Sequence, residues 1–157
     1  MSRRRKAREM AIQMLYQGDL GGSRKEEIFA RFDPLGYTVA FAEEPVDDGE
    51  KEGPVSREVF EHAKHLVTGT VEHLEEIDAL IGSQADNWRL ERMPPVDRNI
   101  LRLAVYEFLY ETDVPKLVAI DEAIELAKLY GSENSSSFVN GLLDGLLKTH
   151  EFPGSLT

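Results

Sequence analysis

The chain has 157 residues, 41% of them hydrophobic, no cysteine, and a formal net charge of −11. That length suits one domain or two small helical subdomains sharing an interface. Without cysteine there is no disulfide framework and no thiolate metal site, and no apolar run approaches the roughly 18 residues that span a bilayer.

The charge is unevenly placed. Arg3, Arg4, Arg5, Lys6 and Arg8 make five of the first eight residues basic, and none of the eight is acidic. The rest of the chain holds 13 basic and 29 acidic side chains. Such a cluster concentrates positive potential where a polyanion can reach it. Arg8, Glu9, Gln13 and Asp19 interrupt the stretch that follows. That argues against a secretory signal and for a cytoplasmic chain.

Residues 3–19 read as a helix, with Ala7, Met10, Ala11, Met14, Leu15 and Gly18 on one packing face. Gly21-Gly22 stops it, and Ser23 is placed to cap a second helix over 24–32. The stretch from Asp33 to Pro54 is acidic and rich in turn residues, which predicts a surface loop near 33–55. Ser56 opens a long helix over 57–82, with a stripe of Val59, Phe60, Ala63, Leu66, Val67, Val71, Leu74, Ile77 and Ile81. A short helix over 86–93 is expected to hold Trp88 and Leu90, and Pro94-Pro95 ends it. Helix 96–111 is apolar nearly all round, the pattern of a helix in the middle of a bundle. Residues 117–130 form the next helix, whose alanines permit close approach and whose C′ residue is Gly131. The last helix, 133–149, carries Val139, Leu142, Leu143, Leu146 and Leu147. No segment shows β alternation. About seven helices in two packed subdomains make an all-α, bundle-like fold.

Catalytic chemistry is hard to place on this chain. It has no Gly-rich phosphate loop, no G-x-S-x-G and no nucleophile–base pair. His62, His65 and His73 share one side of the long helix, but His73 lies about 16 Å along the axis from His62, too far to share an ion. A solvated face explains them better. No cofactor and no metal are expected, and the chain does not read as an enzyme.

The basic terminus carries more information. On a helix Arg4 and Arg8 are one turn apart, and Arg5 and Tyr16 point nearly the same way. A row of guanidinium groups with a tyrosine further along suits phosphates and a base. Phe138 lies at the margin of the last apolar stripe, where its ring has room to stack on a base. The plainer alternatives are a half-buried Tyr16, a core Phe138, and an Asp97 that caps the helix after Pro94-Pro95.

Three stretches taken together resemble the NusB family of transcription antitermination factors. They are Arg4-Arg5-Lys6-Ala7-Arg8-Glu9-Met10 through Tyr16, Pro94-Pro95-Val96-Asp97-Arg98-Asn99-Ile100-Leu101-Arg102 through Glu107, and Asp113-Val114-Pro115 through Gly131-Ser132-Glu133 and Phe138-Val139-Asn140-Gly141. The resemblance spans nearly the whole of residues 1–157, apart from the acidic loop and the tail. It implies a non-catalytic protein that binds the boxA element of nascent RNA together with NusE, a small-subunit ribosomal protein. Joined to the RNA polymerase antitermination complex, it would promote read-through in ribosomal RNA operons. RNA-contact positions fall on Arg4, Arg5, Lys6, Arg8 and Phe138. Partner-contact positions fall on Asp97 and Asn134, with Tyr16 near the same surface. Family members often carry an acidic residue where this chain has Asn134, and a lysine where it has Ser137. Members occur as monomers and homodimers. Similar domains are also fused to ribosomal RNA cytosine methyltransferases, but 157 residues leave no room for a methyl-donor domain. A helical protein–protein scaffold without RNA binding is the third reading.

Overall fold

The computed structural model describes residues 3–21, Glu27, 57–85 and 89–157. Every regular element among them is helical: α1 (Arg3–Gly21), α2 (Arg57–Glu72), α3 (Leu74–Gln84), a 3₁₀ turn (Leu90–Arg92), α4 (Pro95–Tyr110), α5 (Lys116–Tyr130) and α6 (Ser135–Thr149). The all-α architecture is therefore as the periodicity implies. The helix expected over 24–32 and the acidic loop near 33–55 lie outside the described residues, except that Glu27 is helical.

The chain divides into two compact units, Met1–Thr68 and Gly69–Thr157, and the division falls within α2. In the first unit, Ala7, Met10, Ala11, Met14 and Leu15 of α1 are buried, the stripe that the 3,4 spacing marks. Val59, Ala63, Leu66 and Val67 are the buried face of α2.

Two expected elements differ in detail. The long helix over 57–82 is interrupted at His73, whose backbone sits in the bridge region at φ −112°, ψ 21°. Its ring stacks on Tyr110 with centroids 4.0 Å apart, and the Tyr110 hydroxyl donates to Glu76 at 2.5 Å. This anchorage on α4 accompanies the break between α2 and α3, and stripe spacing alone does not register it. Val71 leaves the stripe and is exposed, while Thr70 is fully buried. The short helix over 86–93 is a single 3₁₀ turn at Leu90–Arg92. Arg98 Nη1 donates to the carbonyls of Leu90 and Met93, at 2.8 and 3.4 Å, and ties this turn to α4. Trp88 lies outside the described residues.

In the second unit α4 packs against α3, α5 and α6. Ile100, Leu101, Leu103, Ala104, Val105 and Phe108 are all buried. Each large side chain so buried contributes at most about 1.5–3 kcal/mol. Pro95 starts α4 at the first helical position, where its missing N–H costs nothing. The Arg102 guanidinium grips Asp78 of α3 through Nε and Nη2 at 2.8 and 2.9 Å, a planar fork that fixes one helix against the other. Gly69 is required by close approach, since a Cβ there would fall 2.3 Å from the Tyr106 ring.

Residues 150–157 return along α5. The carbonyls of Ser155 and Leu156 accept from the N–H groups of Lys116 and Leu117, at 3.0 and 2.9 Å. They thereby satisfy two of the free donors that open this helix. Phe152 packs on Phe108 with centroids 5.3 Å apart.

Candidate functional site

The basic turn of α1 is not uniform. Arg3 and Arg4 are exposed, and Arg5 and Tyr16 are half-buried. Lys6 and Arg8 are only 3% and 4% accessible, and each is engaged within the protein. Arg3 Nη1 pairs with Glu58 Oε2 of α2 at 3.2 Å, with both side chains largely in solvent. Such a pair is worth little by itself. The helical period accounts for the split: the side facing solvent carries Arg3 and Arg4, and the side that continues into Met10 and Met14 carries Lys6. Of the five, Arg3 and Arg4 are the exposed ones.

The second unit brings Asp97, Asn134 and Phe138 together. All three line one open cavity of about 220 Å³, with Pro94 and Ser132. Asp97 stands in the first turn of α4 but does not cap it, because the N-cap position is Pro94 and no side chain bonds there. Its carboxylate, 4% accessible, accepts instead from Ser135 Oγ of α6 at 2.6 Å. Asn134 occupies the N-cap of α6 without a side-chain capping bond, and its side chain is exposed. Phe138 is half-buried, a position between core and surface. Ser137 is exposed and its hydroxyl donates back to the Asn134 carbonyl at 3.1 Å.

Ser135 is the residue that the sequence did not single out. It is 1% accessible. While donating to Asp97, its Oγ accepts from the Ser132 N–H at 2.8 Å and lies 3.2 Å from Ser132 Oγ. The Ser132-x-x-Ser135 spacing ahead of an apolar stripe was the available signal, because serine hydroxyls readily bond backbone groups at helix starts. The same serine explains Gly131. That residue is extended, at φ −91° and ψ −170°, so it does not supply a left-handed C′. A Cβ on it would meet Ser135 Oγ at 2.4 Å and the Ala127 carbonyl at 2.8 Å. Glycine is needed there for space.

Charge separates the two units further. Residues 1–68 carry 11 basic and 13 acidic side chains, against 7 and 16 in residues 69–157. In the second unit Arg102, Lys128 and Lys148 are paired with Asp78, Glu125 and Asp144. Lys116 is buried, its Nζ has no hydrogen-bond partner among the described residues, and this burial pushes its amine below the ordinary lysine range. The cavity thus sits in a strongly acidic half of the chain. On α2, His62 and His65 stack with centroids 6.2 Å apart. Among the described residues no group of three His, Asp or Glu is placed to hold a metal ion, and no helix is long and apolar enough to cross a membrane.

Known proteins share this arrangement of helices. Residues 5–148 match the NusB family. The transcription antitermination protein NusB of Anaeromyxobacter dehalogenans is 47% identical over 143 residues, covering 91% of this chain and 89% of that protein. The protein of the same name from Desulforamulus reducens is 44% identical over 144 residues, covering 92% and 89%. Among solved structures, T. maritima NusB superposes with a TM-score of 0.74 at 36% identity, covering 96% of this chain and 93% of that one. A crystal structure of the antitermination factors NusB and NusE in complex with dsRNA contains a chain with a TM-score of 0.74 at 29% identity, covering 96% and 99%. With sequence and fold agreeing over almost the full length, the chain belongs to the NusB family.

Proposed function

We propose that this chain is a non-catalytic, cytoplasmic transcription antitermination factor. In this reading it binds boxA RNA jointly with a NusE-type ribosomal protein and joins the RNA polymerase antitermination complex to promote read-through in ribosomal RNA operons. The observation that carries the reading is the meeting of Asp97, Asn134 and Phe138 on one cavity, in a chain whose relatives include a NusB solved with NusE and dsRNA. An acidic second unit attracts a basic ribosomal protein and repels RNA, so the basic turn of α1 supplies the phosphate contacts.

Residue roles follow from exposure. Arg4, which is exposed, and Arg5, which is half-buried beside it, meet phosphates directly. Lys6 and Arg8 support the same turn from the protein side, because both are already engaged there. Phe138 stacks on an unpaired base. Asp97 and Asn134 face the protein partner, with Tyr16 assigned to the same role. Residues 1–157 act as one RNA-binding module.

The test is a titration of boxA RNA with and without NusE, repeated across salt concentrations. Neutralising three to five phosphates gives a log–log salt slope of roughly −2 to −3.5 for a single strand. A steeper affinity with NusE present is the expected result. RNA affinity that ignores both salt and NusE would leave only the helical scaffold reading.

A further inference from the structure

We propose that residues 150–157 form a strap that closes over the amine of Lys116 and lifts off locally, and that the unpartnered amine of Lys116 is what opposes its closure. The inference goes beyond the RNA and NusE reading and does not depend on it.

Lys116 is the first residue of α5, a place where a lysine ordinarily keeps its ammonium in water. Here the residue is only 2% accessible, and its Nζ has no hydrogen-bond partner among the described residues. Gly154 lies over it. A Cβ on that glycine would fall 3.1 Å from Nζ and 2.8 Å from the Thr112 carbonyl. Its φ of +92° is also in the left-handed region that disfavours a side chain. Glycine at 154 is therefore required by space and by backbone together. The bend at Pro153-Gly154 sets the carbonyls of Ser155 and Leu156 on the N–H groups of Lys116 and Leu117, at 3.0 and 2.9 Å. At the other end of the strap Phe152 rests on Phe108, with centroids 5.3 Å apart.

Burial contributes little to holding the segment. Phe152 is half-buried and the other seven residues of 150–157 are exposed. The Ser155 hydroxyl donates within the strap, to the Thr157 carbonyl at 3.2 Å. A segment with few buried contacts opens at less cost than the core it lies on. Lys116 adds an opposing contribution, because closure strips its amine of water and returns no hydrogen bond. Burial alone holds that amine below the ordinary lysine range. It is not offset by Glu107 and Glu111 from the end of α4, by Asp113 in the turn that follows, or by His150 and Glu151 of the strap. Asp144 and Lys148 of α6 pair with each other. When the strap lifts, Nζ and the first two N–H groups of α5 meet water together. The open form thus adds a cationic spot to a unit of 7 basic and 16 acidic side chains.

The experiment treats the full chain with N-hydroxysuccinimidyl acetate and reads each lysine by mass spectrometry, with hydrogen exchange of the Leu117 and Leu103 amides followed in parallel at neutral pH. Lys116 should acetylate far more slowly than the exposed Lys128 and Lys148. Its acetylation and the exchange of Leu117 should stay nearly flat in low urea, while the exchange of Leu103 in α4 rises steeply, because a local opening exposes little surface. Gly154→Ala should speed acetylation of Lys116 and exchange of Leu117 about tenfold, and Phe152→Ala about three- to tenfold. Lys116→Met should slow the exchange of Leu117 about tenfold. Acetylation of Lys116 as fast as that of Lys128 would show that nothing covers it. A urea dependence as steep as that of Leu103 would make the segment part of the core, with no strap that opens by itself. Unchanged Leu117 exchange in Lys116→Met would remove the amine as the opposing group.

Discussion

The first turn of α1 and the first turn of α6 are both helix starts, and they solve opposite electrostatic problems. In α1 a run of cations sits at the helix end that the macrodipole makes positive, so its stability must come from elsewhere. Lys6 and Arg8 are drawn inward and engaged, and Arg3 reaches Glu58. At the start of α6 the N–H of Ser132, just ahead of the helix, feeds a serine relay that ends on a buried carboxylate. One helix start offers charge to solvent, and the other hides charge at the floor of a cavity. The lesson is that a cluster of like charges in sequence does not translate into a patch of the same size. Burial selects which members are presented.

The largest effect that would break this contrast is loss of the frame under the cavity. Leu103 is buried at the centre of α4, and Leu103→Ala should cost about 2–5 kcal/mol of unfolding free energy, read by denaturant titration. A harmless substitution would mean that α4 is not the central helix.

Phe138→Ala comes next and sharpens the contrast on the RNA side. As a stacking residue it should cost about 1–3 kcal/mol of RNA binding while the melting temperature shifts little. A large melting loss with normal affinity among folded molecules would return Phe138 to the core.

Charge substitutions in α1 should have a smaller and graded effect. Arg4→Ala and Arg5→Ala should each flatten the log–log salt slope by about 0.7. Lys6→Ala and Arg8→Ala should lower the melting temperature as well, because their side chains are buried. Equal behaviour of all four in both measurements would erase the distinction between the more exposed cations and the buried ones.

The smallest expected effect concerns Lys116. Its amine is held below the ordinary lysine range by burial, so the folded state loses this proton before the unfolded state does. Between the folded value and the ordinary lysine value of 10.5 the unfolded chain binds more protons, and stability attributable to this group rises with pH. Lys116→Met should therefore stabilise the protein near neutral pH by about 1 kcal/mol, with the advantage shrinking toward pH 10.5. Tyr106 acts in the opposite sense. Burial, then Glu111, hold its hydroxyl above the usual range, and stability falls above the ordinary tyrosine value of 10.0 in both proteins. The difference between them isolates Lys116. A Met variant that is less stable at neutral pH would show that the amine has a partner.

Helix existence was legible in the chain because it depends on short-range patterns. The stripe from Ala7 to Leu15, the all-round apolar run from Ile100 to Phe108, and the breaks at Pro94-Pro95 and Val114-Pro115 each lie within a few turns of sequence. Family membership was legible for the same reason, since motifs in order suffice for it. Tertiary packing decided the rest. It interrupted the second long helix at His73, where a ring is anchored on Tyr110 some 37 positions away in the chain. It turned Gly131 from a helix stop into space for Ser135. It replaced the plainer alternative for Asp97, a helix cap, with a carboxylate bonded across 38 positions. It also graded the five basic residues of the first turns, from exposed Arg3 and Arg4 through half-buried Arg5 to buried Lys6 and Arg8. A local pattern fixes which face a residue takes on its own helix. What waits on the other side of that face is a long-range fact, and the cavity that gathers Asp97, Asn134 and Phe138 exists only after α4 and α6 have packed.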